Sequence, residues 1–149
     1  MDLVTTGDIT IASEDATFFD PHVSIGLASG REMVRVARAL PINVAMRMAL
    51  LGKQERLSAQ RAYELGFITE IVRPDELQAR ARELAQLVNR NAPLAVRGTR
   101  LAIRKGLGLP LHEAEILAEA FRERVLHTED SIEGPRAFME KRDPEWKCE

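Results

Sequence analysis

Histidine is the side chain in this sequence best suited to moving protons near neutral pH, because its ordinary pKa is about 6.5. The sequence holds three histidines, His22, His112 and His127. None has a second histidine or a cysteine at metal-ligand spacing, so we expect no metal site. His112 and His127 stand among charged residues in helical segments and are interpreted as solvated surface groups. His22 follows an Asp-Pro turn signal. The histidines alone therefore assign no chemistry.

A serine flanked by glycines is the second feature that could carry chemistry. Residues 26–30 read Gly-Leu-Ala-Ser-Gly. A nucleophile elbow has the pattern Gly-x-Ser-x-Gly, and here the serine stands one place too late. No Gly-Lys-Ser/Thr follows, so the segment is not a phosphate-binding P-loop either. We interpret it as a turn that leads into a helix, because Ser29 and Glu32 have the spacing of a capping box.

The composition excludes several classes of protein. A chain of 149 residues that is 45% apolar and 30% charged is large enough for one globular domain with a real core. Its net charge of −2 gives no electrostatic case for nucleic acid or an anionic membrane as a partner. We expect no membrane span and no secretory signal, since apolar runs are short and the first residues are not basic. The single cysteine, Cys148, excludes a disulfide within the chain and favours a reducing, cytoplasmic location.

Strand patterns are confined to the beginning of the chain and to one later segment. Ile9 and Ile11 alternate with Thr10 and Ala12, which predicts a strand, and residues 17–19 predict a second. Residues 69–72 form the one later candidate. Three short strands cannot make a self-sufficient sheet. We therefore interpret the apolar N-terminal segment as a piece of a larger sheet. A small hairpin beside a mainly helical domain stays open as the alternative.

From Gly30 onward the periodicity is helical, and we predict that over half of the chain is helix. Ser58 is predicted to cap one helix, which Gly66 ends at its C′ position. Pro74 and Asp75 are predicted to begin the next helix.

Three further helices are predicted towards the end of the chain. The first covers residues 94–105. The second has an apolar stripe that we expect to be buried against other helices: Leu111, Ala114, Leu117, Phe121 and Val125. The last begins at a capping box of Asp130 and Glu133 and ends near Arg142, because Pro144 cannot continue it.

Three separated blocks of the sequence resemble the crotonase family, which is the enoyl-CoA hydratase/isomerase superfamily. The first block comprises residues 3–13, 16–21 and 25–26. The second, residues 51–52, 57–62 and 65–72, is similar to the family stretch G-x-R-I-S-A-x-x-A-x-x-x-G-L-V, with a short insertion. The third, residues 133–134, 137–138 and 140–142, is similar to the family's C-terminal helix.

The resemblance implies an α/β fold, namely the C-terminal part of the crotonase β-spiral, predominantly helical in this fragment. Residues 1–72 would be a remnant of the spiral core. Residues 73–149 would be a C-terminal helical region of the trimerisation type. The expected assembly is a homo-oligomer, a trimer or a hexamer.

The resemblance also implies site residues. It places Asp2 and His22 where hydratases have their two catalytic glutamates, so both positions depart from the family pattern. Such a pair activates water and exchanges a proton at the α-carbon of an acyl-CoA thioester. Phe138 and Lys141 stand three apart, which predicts a shared helix face. In the family this pair approaches the adenine and phosphates of coenzyme A bound to a neighbouring subunit.

Family members are considerably longer than this chain. The resemblance implies that the missing half carries both N–H donors of the oxyanion hole. Two functions therefore stay open. The first is an acyl-CoA hydratase, dehydratase or isomerase that is truncated and weak or inactive in isolation. The second is a non-catalytic module for oligomerisation or CoA binding, and a damaged reading frame is a weaker third option. No cofactor is implied beyond the coenzyme A of the thioester substrate.

Overall fold

The structure, a computed structural model, describes all 149 residues except for the side chain of Asp2. More than half of the residues are helical, as predicted. The chain divides into two compact units, Met1–Arg82 and Glu83–Glu149. The boundary between residues 72 and 73 that the sequence suggests stays a prediction.

The first unit contains four strands and four helices, and a fifth helix runs from it into the second unit. The strands are β1 (Ile11–Ser13), β2 (Thr17–Phe18), β3 (Leu57–Ser58) and β4 (Glu70–Val72). The helices are α1 (Asp2–Thr6), α2 (Arg31–Ala39), α3 (Ile42–Leu51), α4 (Ala59–Glu64) and α5 (Leu77–Asn89). Two 3₁₀ turns, His22–Ile25 and Gly52–Gln54, complete it. The second unit holds α6 (Pro93–Gly106), α7 (Leu111–Leu126) and α8 (Glu129–Glu140).

The strands form two short pairs rather than one sheet. β1 runs parallel to β4, with Ile11 opposite Glu70, and β2 runs antiparallel to β3. The Thr69 backbone N–H extends the first pair by donating to the Thr10 carbonyl over 2.8 Å. The sequence predicted strands in the regions of β1, β2 and β4, but it did not predict β3. The opening of the chain is also different, because residues 2–6 form α1 and the strand begins only at Ile11.

The core of the first unit is built from small side chains on α4 and larger ones around it. Ala59 and Ala62 are fully buried, which lets the backbone of α4 approach its neighbours closely. The largest fully buried apolar side chains are Val36, Met48 and Ile68. Phe18 and Phe67 meet edge to face, with 5.7 Å between ring centroids. This packing ties β2 to the segment that follows α4.

The predicted helix ends in the first unit are partly right. Ser58 caps α4 by accepting the Arg61 backbone N–H over 3.2 Å, and Gly66 follows the helix with a φ of +71°. The capping box of Ser29 and Glu32 is wrong. Helix α2 begins at Arg31 without a side-chain cap, and the Ser29 hydroxyl is buried instead.

In the second unit, α6 and α7 form a helical hairpin around two glycines. A Cβ on Gly98 would stand 3.1 Å from Val125 Cγ2, and one on Gly106 would stand 3.2 Å from Ala114 Cβ. The absence of these side chains lets the two helices pack closely. The apolar stripe predicted on α7 is less buried than expected, because Leu111 is 75% exposed and its other four members are half-buried. Full burial of this stripe was therefore a wrong prediction.

Helix α8 begins and ends a few residues before the expected positions. Thr128, not Asp130, caps it by accepting the Ser131 backbone N–H over 3.2 Å. Asp130 is buried and accepts the backbone N–H groups of Lys147, over 2.7 Å, and Cys148, over 3.2 Å. The helix ends at Glu140 because Lys141 takes a left-handed conformation.

Candidate active site

His22 opens a short turn that a buried aspartate organises. The Asp20 carboxylate accepts the His22 backbone N–H over 3.3 Å, across Pro21. This is the local bond that makes Asp favourable at the start of a turn. The Leu27 backbone N–H donates back to the His22 carbonyl over 3.0 Å, and Gly26 supplies the left-handed φ of +79° that the turn needs. The sequence Asp-Pro-His therefore fixes where the imidazole leaves the backbone.

The same carboxylate also holds the ring of His22. Asp20 is only 2% exposed, and its Oδ1 makes a short hydrogen bond with His22 Nδ1. The His22 side chain is 34% exposed, so one edge of the ring is held from inside and the other reaches solvent. Within the part of the chain that the structure describes, Asp20 Oδ2 and the nearby Ser29 Oγ are buried without a hydrogen-bond partner.

This arrangement lowers the pKa of the Asp20 carboxyl group and raises the pKa of the His22 ring. Burial raises the pKa of Asp20, but the nearby Ser29 hydroxyl, the His22 ring and the His22 backbone N–H outweigh burial and hold that pKa below its ordinary value. The hydrogen bond to Asp20 raises the pKa of His22 above its ordinary value of 6.5, with a smaller contribution from the charge of Glu32. Asp20 is thus an ionised carboxylate, and His22 is a base that holds its proton more tightly than a free imidazole.

The ring of His22 stands on a cleft of about 360 Å³ at the surface of the first unit. The lining comprises Met1, Leu3, Phe19, Asp20, Pro21, His22 and Glu32. The guanidinium carbon of Arg56 lies 3.9 Å from the centroid of the Phe19 ring, a cation–π contact that helps to hold this side chain. A cleft with an apolar part and one basic imidazole can bind an organic group and move a proton on it.

Among residues with described side chains, no group of three or more His, Cys, Asp or Glu residues could hold a metal ion. In the same part of the chain, no helix is both long enough and apolar enough to cross a membrane.

Comparison with known proteins decides the family. The model of the enoyl-CoA hydratase/isomerase family matches residues 1–149. The chain belongs to the enoyl-CoA hydratase/isomerase family. A crystal structure of an enoyl-CoA hydratase/isomerase from Mycobacterium paratuberculosis matches with a TM-score of 0.98 and 73% sequence identity, covering 99% of this chain and 58% of that chain. A putative enoyl-CoA hydratase/isomerase from Mycobacterium abscessus matches with a TM-score of 0.93 and 34% identity, covering 99% and 61%.

The curated relatives lead to the same family. Carnitinyl-CoA dehydratase of Proteus mirabilis (strain HI4320) is 35% identical over 151 residues, which cover 98% of this chain and 57% of that protein. The chain thus spans somewhat more than half the length of the enoyl-CoA hydratase/isomerase relatives it matches. The membership and the α/β crotonase fold predicted from the three sequence blocks are confirmed.

The residues that the family resemblance pointed to fall in both units. His22 lies on the cleft described above. The side chain of Asp2 lies outside the described residues, although its neighbours Met1 and Leu3 line the same cleft. Phe138, on the last turn of α8, is 84% exposed. Lys141 is exposed too, but it stands past the end of α8 with a φ of +55°, so the two do not share a helix face as expected. Their role in binding coenzyme A stays a prediction.

A larger cleft, of about 610 Å³, lies in the second unit beside α8. Most of its charged groups already have partners: Glu133 and Glu140 bind Arg142, and Glu129 binds Lys147 over 2.9 Å. Side chains paired in this way have little capacity left for proton transfer. The smaller cleft with His22 is therefore the better candidate site for hydratase/isomerase chemistry.

Asp20 is a candidate site residue that the sequence alone did not single out. It was interpreted only as part of a turn signal, whereas the structure places its carboxylate against His22 Nδ1. The spacing of two residues across a proline was a signal that could have found it. A turn at Asp-Pro returns the carboxylate to the backbone N–H two residues on, next to the ring of the following histidine.

Proposed function

We propose that the chain carries part of an acyl-CoA site of the enoyl-CoA hydratase/isomerase type, in which His22 moves the proton. The single observation that carries this is the position of His22, which stands on the lining of a partly apolar cleft with its Nδ1 side held. Family membership supports an acyl-CoA thioester as the substrate class. Carnitinyl-CoA and enoyl-CoA, named for the relatives, are examples of that class.

The proposed reaction uses only water, the thioester and the His22 ring. In hydration, His22 Nε2 takes a proton from water as the water oxygen bonds to the β-carbon, and the electron pair of the double bond moves onto the thioester as an enolate. The protonated ring then returns a proton to the α-carbon and the thioester is restored. Isomerisation uses the same ring to remove one proton and deliver it to another carbon. Asp2 is proposed as the second acid/base group, with no cofactor besides the coenzyme A of the substrate.

We propose further that the 149-residue chain is weak or inactive in isolation. The family resemblance assigns the two oxyanion N–H donors to a part outside this chain. Loss of one such donor typically costs about 10²–10³ in rate. A base also acts efficiently only on a substrate that is already held in place.

The alternative is a non-catalytic module for oligomerisation or CoA binding. The observation that favours it is the exposure of three large apolar side chains on α8, Ile132, Phe138 and Met139. Apolar surface of this kind usually finds a partner. In this alternative, the chain forms a trimer or hexamer in the cytoplasm, and Phe138 and Lys141 lie at the edge of the coenzyme A site.

The test is a chimera of full family length. The part of the Mycobacterium paratuberculosis relative that this chain does not cover is joined ahead of Met1, a fusion that the 73% identity makes practicable. Turnover of crotonyl-CoA is followed by loss of the conjugated thioester absorbance, for the chimera and for the 149-residue chain alone. We expect turnover by the chimera and none above background by the chain alone.

The role of His22 is read from a matched pair of substitutions in the chimera. His22→Gln should lower kcat by about 10²-fold or more, as for loss of a general base. His127→Gln is the control, because His127 is exposed and its ring bonds only Glu123 in the described part of the chain. Equal activity of the two variants contradicts the proposed role. A chimera that forms the oligomer and binds CoA without turnover supports the module instead.

A further inference from the structure

The two ring nitrogens of His22 have different surroundings. Nδ1 bonds the buried Asp20 carboxylate, while Nε2 has no hydrogen-bond partner among the described residues. An ionised carboxylate can only accept hydrogen bonds, so it requires the proton of the neutral ring to sit on Nδ1. A neutral histidine in water prefers the opposite tautomer, with the proton on Nε2. The carboxylate therefore decides which nitrogen has the free lone pair.

We infer that Asp20 is a positioning residue, which with Ser29 holds the His22 ring so that the unprotonated Nε2 is the atom presented to the cleft. The expected effect of Asp20 on turnover rests on the proposed function, whereas its effect on the tautomer of His22 does not. This arrangement differs from the pair of glutamates in the family pattern. Asp20 acts through the imidazole of His22, whereas the family's glutamate carboxylate acts directly.

Ser29 has a supporting place in this arrangement. Its Oγ and Asp20 Oδ2 are both buried without a hydrogen-bond partner in the described part of the chain, and the Ser29 hydroxyl helps to hold the pKa of Asp20 low. A hydrogen bond from this hydroxyl to Oδ2 would leave Oδ1 for His22. The Ser29 hydroxyl makes no hydrogen bond to the His22 ring among the described residues, so a nucleophilic Ser-His-Asp triad does not form here.

Among the side chains that the structure describes, no other charged group at the cleft bonds the His22 ring. Glu32 adds a negative charge that favours protonation of His22, but no hydrogen bond joins it to the ring in the described residues. It lies on α2 and also faces Arg31, 3.7 Å away. The side chain of Asp2 lies outside the described residues. Glu32 is therefore the matched control for Asp20, since it supplies a charge at the same cleft without the bond.

The experiment is nitrogen NMR of the histidine rings in the 149-residue chain, which needs no substrate. His22→Gln identifies the His22 signals, and the spectrum above the pKa of His22 distinguishes the protonated ring nitrogen from the unprotonated one. In the unsubstituted chain we expect Nδ1–H as the major neutral form. Asp20→Asn should abolish this preference and lower the pKa of His22, whereas Glu32→Gln should leave the tautomer unchanged.

A major Nε2–H form in the unsubstituted chain overturns the inference without any variant having to fold. It is also overturned if a folded Asp20→Asn chain keeps the Nδ1–H preference. In the active chimera, Asp20→Asn should lower kcat and move the pH profile to lower pH, with a smaller change in KM. If the chimera is inactive, the proposed function fails, while the tautomer still decides the role of Asp20.

Discussion

Gly52 packs against Val23 and Ser24 in the turn that begins with His22. Replacing this glycine with alanine should destabilise the first unit. Its φ of +58° and ψ of −131° belong to a region that residues with a side chain avoid. A Cβ at Gly52 would stand 2.2 Å from Ser24 Oγ and 3.0 Å from Val23 Cγ2. Ser24 would have to move, and it would lose the Lys53 backbone N–H that it accepts over 2.9 Å.

The magnitude follows from these separate costs. A residue with a side chain in such a backbone conformation costs about 1–3 kcal/mol. Loss of the hydrogen bond to Ser24 adds about 0.5–1.5 kcal/mol. We therefore expect Gly52→Ala to lower the free energy of unfolding by about 2–4 kcal/mol, since these contributions are not fully additive.

The assay is urea unfolding followed by far-UV circular dichroism, with Gly26→Ala as the matched control. Gly26 also has a positive φ, +79°, but a Cβ there meets nothing within 4 Å. Its substitution should cost only the strain of a left-handed residue, about 1–2 kcal/mol. Ser24→Ala in the Gly52→Ala background should restore part of the lost stability. Equal losses for the two glycine variants, or no recovery in the double variant, would refute the steric argument.

Three further predictions concern the second unit. Asp130→Ala should release the segment after α8 and lower the free energy of unfolding by about 1–3 kcal/mol, because two N–H donors lose their acceptor. It should also shift the fluorescence of Trp146 to longer wavelength, and an unchanged spectrum would contradict this prediction. The Arg142 guanidinium lowers the pKa of Glu133 to about 2, so the carboxylate's stabilising contribution is complete above its ordinary pKa of 4.5 and is lost as pH falls through about 2. Glu133→Gln should therefore flatten the acid dependence of unfolding in that interval, and an unchanged pH profile contradicts the pairing. Lys141→Ala should weaken coenzyme A binding about tenfold, which is about 1.4 kcal/mol, and equal affinity by calorimetry removes Lys141 from the site.

Local signals in the sequence predicted much of the fold. Ser58 and Gly66 mark the two ends of α4 because capping and a left-handed φ are set by a few neighbouring residues. The apolar period of α7 predicted a helix that the structure contains. The exposure of Leu111 was not predictable, because periodicity shows which side of a helix is apolar but not how far another element covers it.

What the sequence did not predict depends on contacts between distant residues. β3 has two residues, too few for a pattern, and exists because Leu57 and Ser58 pair with β2. Trp146 donates its indole N–H to the Arg90 carbonyl over 2.8 Å, a contact 56 residues apart. At the candidate site, His22 came from the family resemblance. Its partner Asp20 had a local signal in the Asp-Pro-His spacing, but that spacing does not show that the carboxylate also reaches the ring.

The proposed function requires that His22 moves a proton at the α-carbon of an acyl-CoA thioester. The most direct measurement is exchange of the α-protons of butyryl-CoA in deuterated water, because this saturated thioester cannot be hydrated and exchange reports proton transfer alone. We expect that the full-length chimera catalyses exchange and that His22→Gln slows it by about 10²-fold or more, while His127→Gln does not. Exchange at the same rate in the His22→Gln chimera would contradict this role of His22.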